Sequence, residues 1–64
     1  MNQIKHLREL KGVTQRRLAQ DLDVALSSVT HWEQNLRDPN SNMRKKLAEY
    51  FNVSEPEILG PAPT

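Results

Sequence analysis

The sequence predicts an all-α chain, a compact five-helix domain in which the second and third helices meet at a tight turn. Three observations predict it. Apolar residues recur at three- and four-residue spacing in Ile4-Leu7-Leu10, Leu18-Ala19-Leu22, Val29-Trp32 and Met43-Leu47-Phe51, the period of helices that bury one stripe. No stretch alternates apolar and polar residues as a half-buried strand does. Residues that start and stop helices also punctuate the chain: Asn2, Thr14, Asn40 and Ser54 stand before the periodic segments, and Gly12, Asp23 and Asn52 stand after them.

Composition narrows the possibilities further. At 64 residues the chain is one domain near the lower limit for an uncrosslinked core, since a chain of this size buries only about 60% of its unfolded surface. Residues 1–59 are expected to form that domain, and Gly60 to Thr64 a flexible tail. There is no Cys, which excludes disulfides and thiolate metal sites. With His6 and His31 the sole histidines, no metal site or other cofactor is expected. No apolar run approaches the roughly 18 residues of a membrane span and no signal peptide opens the chain, so a soluble cytoplasmic protein is expected. No nucleophile–base pair, carboxylate pair or phosphate loop is present, so no catalytic residue and no small-molecule substrate are expected.

Asn2 is placed to cap the first helix, and Gly12 stops it after Lys11. Arg8 lies on the apolar side beside Leu7, where a lone guanidinium is expensive, so it needs a carboxylate partner; Glu33 is the obvious one. Thr14 caps the second helix with its hydroxyl, and Asp23, a non-glycine type that tolerates a left-handed backbone, ends it. The unpaired N–H groups of that helix start form a natural phosphate site, with Arg16 and Arg17 on the outer face. The third helix, roughly Leu26 to Gln34, turns Val29, Trp32 and Glu33 inward, with Trp32 read as core. Ser27, Thr30, His31 and Gln34 share the opposite face, while Leu26 sits at the tip between the two and Ser28 flanks the apolar side. A loop rich in turn residues runs from Gln34 to Asn40, which caps a fourth helix with Arg44, Lys45 and Lys46 outward. Ser54-Glu55-Pro56-Glu57 opens a short last helix with a Ser-x-x-Glu capping box, Ile58 and Leu59 forming its apolar side.

The order Leu7-Arg8, Thr14-Gln15, Leu18-Ala19, Val24, Val29, Trp32-Glu33, Pro39, Leu47-Ala48, Phe51-Asn52-Val53 resembles the helix-turn-helix domain of the XRE family, that of the lambdoid phage repressors and Cro proteins. The likeness covers roughly residues 2–59. It departs from the family where Asp23 and Asn35 replace glycines, where Ala25 replaces a Ser or Thr cap, and where Leu36 replaces a residue that is commonly basic. The resemblance implies a lambda repressor-like fold and a sequence-specific transcriptional regulator, repressor or Cro-like, that lays its third helix in the major groove of a pseudo-palindromic operator. It places an Arg–Glu pair at Arg8 and Glu33, a base contact at Leu26, and phosphate contacts at Gln15, Gln34, Asn35 and Arg37. Ser27, Thr30 and His31 then complete the base-reading set, and Thr14, Arg16 and Ser28 the phosphate-binding set. No Arg or Lys occurs between Leu26 and Gln34, so the bidentate cation on guanine is absent; recognition should lean on thymine methyls, hydroxyls and DNA shape.

Net charge is only +1, but residues 1–48 carry all 9 basic and 5 of the 8 acidic side chains, net +4, whereas Glu49, Glu55 and Glu57 leave the rest at net −3. That asymmetry suits a DNA-facing surface and a distal partner face, or it is ordinary surface scatter. A weak homodimer is expected through Tyr50, Ile58 and Leu59, since one such helix covers only a few base pairs; the other reading is that Ile58 and Leu59 close the monomer core. The alternative is an antitoxin or other protein-binding module, its partner a toxin or another regulator, with DNA used only for autoregulation.

Overall fold

The computed structural model describes residues 2–60, which form α1 (Ile4–Lys11), α2 (Gln15–Leu22), α3 (Leu26–Glu33), α4 (Ser41–Phe51) and α5 (Glu55–Leu59). No strand occurs among the described residues. Two helix starts are capped by the side chain of their N-cap residue, Thr14 and Asn40, and the first N–H of α1 is taken by Asn2, one residue ahead of its N-cap Gln3. Asn2 Oδ1 accepts from the Ile4 N–H at 3.0 Å, Thr14 Oγ1 from Arg17 at 3.0 Å and Asn40 Oδ1 from Met43 at 2.9 Å. Ala25 opens α3 with no side-chain cap.

Four helices end in the same way, at a residue in the left-handed region: Gly12, Asp23, Asn35 and Asn52, with φ between 57° and 75°. The N–H of the following residue reaches back five positions, from Val13 to the Arg8 carbonyl, Val24 to Ala19, Leu36 to His31 and Val53 to Ala48, at 3.0 to 3.2 Å. This motif prefers an apolar residue after the left-handed one, which packs back on the helix. The three valines are half-buried accordingly, while Leu36 stays 68% exposed.

Every helix contributes to one core: Ile4 from α1, Leu18, Ala19 and Leu22 from α2, Val29 and Trp32 from α3, Leu47 and Ala48 from α4, and Ile58 from α5. α2 packs on α3, α5 on α4, and α1 spans α3 and α4, within 28 × 23 × 19 Å.

Four expectations need correction. Leu10 is 71% exposed, because steps of three residues fall short of a full turn and carry it about 120° away from Ile4. Gln34 lies outside α3 as its C-terminal cap, bonded to the Thr30 carbonyl. The capping box at Ser54 does not form: the Glu57 N–H it needs goes to the Ser54 backbone carbonyl at 3.1 Å, and the Ser54 side chain caps nothing. Ile58, expected on a dimer surface, is fully buried, and its carbonyl takes the Gln3 N–H at 3.0 Å; the turn at Asn52 folds α5 back so that this side chain closes the core. Of the tail expected from Gly60 to Thr64, residues 61–64 lie outside the described residues, and the Gly60 N–H is bonded to the Pro56 carbonyl.

Candidate nucleic-acid interface

The left-handed turn at Asp23 sets α3 across α2, with Val29 fully buried and Trp32 nearly so. The opposite side of α3 is left to solvent. Leu26 is 41% exposed at the helix tip, Ser27 and Gln34 are exposed, and Thr30 and His31 are half-buried. Thr30 Oγ1 donates to the Ser27 carbonyl at 2.9 Å, so its hydroxyl hydrogen is engaged within the helix and its lone pairs are left to accept. Four of the positions expected to read bases therefore share one accessible face.

Below this face lies a charged knot. Arg8 donates from Nε to Glu33 Oε2 at 2.7 Å and from Nη2 to Oε1 at 3.2 Å, and its Nη1 reaches the Val13 carbonyl at 2.9 Å. The side chains are only 13% and 4% exposed, so each ion depends on the other for what water would otherwise supply. Hydrogen bonding to Glu33 raises the Arg8 guanidinium above its ordinary pKa despite the opposing cost of burial. Gln15, at the start of α2, gives one amide hydrogen to Glu33 Oε1 at 2.9 Å. The same carboxylate thus joins α1, α2 and the end of α3, and it fixes Gln15 at the α2 N-terminus beside Thr14 and Arg16, both exposed.

The loop after α3 contains Asn35, Leu36 and Arg37, all exposed, whose last two N–H groups both point at the His31 carbonyl. Ser28 is half-buried and lines a groove with Val24, Trp32, Arg37, Asp38, Asn40 and Met43, so it faces the loop rather than the open side of α3. Asn2 reaches this region from the other end of the chain, its Nδ2 lying 2.6 Å from the Trp32 carbonyl and 3.4 Å from Asn35 Oδ1. Sequence reasoning gave Asn2 only its local cap.

The proposed dimer residues are not brought together. Tyr50 is half-buried on the α2 side of α4, donates its hydroxyl to Asp21 Oδ2 at 2.6 Å, meets Phe51 edge-on at 5.1 Å and lies under the Lys11 ammonium. Leu59 sits in a separate groove with Arg44, Glu55 and Pro56. Asp21 also accepts from Arg17 Nε at 3.1 Å, which engages a cation expected on the outer face beside the phosphate site. The Tyr50 hydroxyl, and after it Arg17, hold the Asp21 carboxyl below its usual range, while burial and then Asp21 push Tyr50 up. Among the described residues no group of three His, Asp or Glu is placed to hold a metal ion, and no helix is long and apolar enough to cross a membrane.

The protein family described as helix-turn-helix matches residues 4–58. Curated relatives include an HTH-type transcriptional regulator, ImmR of Bacillus subtilis (strain 168), 32% identical over 57 residues that cover 89% of this chain and 45% of the relative. An HTH-type transcriptional activator, BcrR of Enterococcus faecalis, is 32% identical over 56 residues, 88% of this chain and 28% of the relative. The chain therefore spans less than half the length of these relatives.

Proposed function

The chain belongs to the helix-turn-helix family, and from that premise we propose that it is a sequence-specific DNA-binding transcriptional regulator that inserts α3 into the major groove. The observation that carries this reading is the accessible face of α3, where Leu26, Ser27, Thr30 and His31 stand over the buried Val29 and Trp32. Hydroxyls, an imidazole and apolar groups on one helix face suit base edges and thymine methyls. Thr14, Gln15 and Arg16 at the start of α2, with Gln34, Asn35 and Arg37 in the loop beyond α3, flank that face and would take the phosphates on either side. Ser28 belongs with the loop group, since it lines the same groove as Arg37.

Two copies would bind a pseudo-palindromic operator with half-site centres about 34 Å apart, which doubles the contacts available to a module this small. With Ile58 buried, the expected pairing surface reduces to Tyr50 and Leu59, both half-buried and in separate grooves, which fits a pair formed on DNA rather than a stable dimer in solution.

Duplex binding measured by fluorescence anisotropy from low to moderate salt tests the reading. Affinity should fall steeply, and Arg16→Ala or Arg37→Ala should each lower the log–log slope by about one. Affinity independent of salt, or no duplex bound at all, would overturn the reading and favour a protein partner.

A further inference from the structure

Asn2 is joined to two helices at once. Its Oδ1 takes the first N–H of α1 at 3.0 Å, and its Nδ2 gives a hydrogen to the Trp32 carbonyl, in the last turn of α3, at 2.6 Å. The amide cannot be turned round, because a flip would set its nitrogen against the Ile4 N–H and its oxygen against the Trp32 carbonyl. One side chain therefore caps the start of α1 and the end of α3 across 30 residues of sequence.

The place it reaches matters. The last carbonyls of a helix lack partners within it, and here they are shared among the residues that set the direction of the loop. Asn35 gives its N–H to the same Trp32 carbonyl at 3.2 Å, and Leu36 and Arg37 give theirs to His31. Asn35 holds φ at +60°, a conformation that an L residue adopts at some cost, and its side-chain oxygen faces the Asn2 amide at 3.4 Å. Arg8 anchors the neighbouring residue, Glu33, from the next turn of α1. The exit of α3 is thus gripped at two points, one ionic through Arg8 of α1 and one an amide from Asn2 just ahead of that helix.

We propose that Asn2 is a positioning residue for DNA binding, which holds the loop Asn35–Arg37 at the height where Arg37 and the Asn35 amide meet the phosphate backbone. This rests on the reading of the chain as a DNA-binding module. Asn2 itself touches no DNA; it acts through the loop.

The test uses Asn2→Ser, which keeps an oxygen able to cap the Ile4 N–H but is too short to reach α3. Thermal unfolding checks that the variant is folded. Amide exchange is measured in the free protein, and duplex affinity in wild-type and Arg37→Ala backgrounds. Exchange at Leu36 and Arg37 should quicken about tenfold while Val29 is unchanged. Affinity for all duplexes should fall about fivefold with base preference kept, and the loss should shrink to less than about twofold once Arg37 is gone. Equal losses in both backgrounds, or unchanged affinity with a lower Tm, would overturn the proposal and leave Asn2 a structural cap while DNA binding stands. If the wild-type chain binds no duplex, the functional reading falls and this proposal with it. Should Asn2→Ser not fold, Asn2→Asp serves in the exchange experiment, since it keeps the cap oxygen and removes the donor; unchanged exchange at Leu36 and Arg37 would then overturn the proposal.

Discussion

Leu26 carries an apolar side chain at 41% exposure on a surface otherwise made of hydroxyls, an imidazole and amides. In water that exposure is unfavourable, and a thymine methyl in the major groove is the base-edge group that would cover it. Thr30 points the same way, since its hydroxyl hydrogen is given to Ser27 and a methyl with accepting lone pairs remains. Replacing the contacted thymines by deoxyuridine should therefore weaken binding about fourfold per methyl, the worth of one such group removed from water, and Leu26→Ala should abolish the difference between the two duplexes. Competition anisotropy with paired T and U duplexes measures it; equal affinity of the wild-type chain for both would show that Leu26 does not read the methyl. Glu33 is the other residue on which much converges, because a single carboxylate nearly out of solvent satisfies Arg8 and Gln15 together.

At the scale of the element, the recurring device is the left-handed stop followed by an apolar residue: Gly12-Val13, Asp23-Val24, Asn35-Leu36 and Asn52-Val53. All four are written in the sequence, where the apolar second residue is the signal that strengthens the polar or glycine first. Gly12→Ala should cost about 1 kcal/mol, all of it in the backbone, because a Cβ there meets nothing within 4 Å and φ is +75°. Asn52→Gly should change stability in the opposite sense, a gain below about 1 kcal/mol. Urea unfolding of both variants reads the pair, and a gain at position 12 would mean that the turn relaxes out of the left-handed region.

Across the whole molecule, α2 and α4 are tied at the surface by the Tyr50–Asp21 contact, with Arg17 on the same carboxylate. Asp21 is held below its usual range, so its contribution is present above about pH 4 and is lost as pH falls through the lowered folded value. Tyr50 is raised, so its contribution persists below about pH 10 and is lost as pH rises through the raised folded value. Tyr50→Phe should flatten both limbs of the stability–pH profile, leaving the Arg17 and Lys11 parts at the acid end. Denaturant midpoints collected from pH 2 to 11 check this, and parallel profiles for variant and wild type would rule the contact out as a stability determinant.

Helix starts, helix stops and inward stripes were legible in the sequence because each depends on residues within about five positions: Thr14 caps Arg17, Asn40 caps Met43, and Asp23 turns its own backbone. The Arg8–Glu33 contact was legible for a different reason, that a cation on an apolar face needs one partner and few carboxylates face inward. The tertiary structure alone decided that Ile58 closes the core instead of a dimer, that Tyr50 finds Asp21, and that Asn2 crosses to the end of α3. These outcomes depend on the angles at which short helices cross. A sequence specifies such angles only through the combined packing of the core residues from all five helices, so no local pattern announces them.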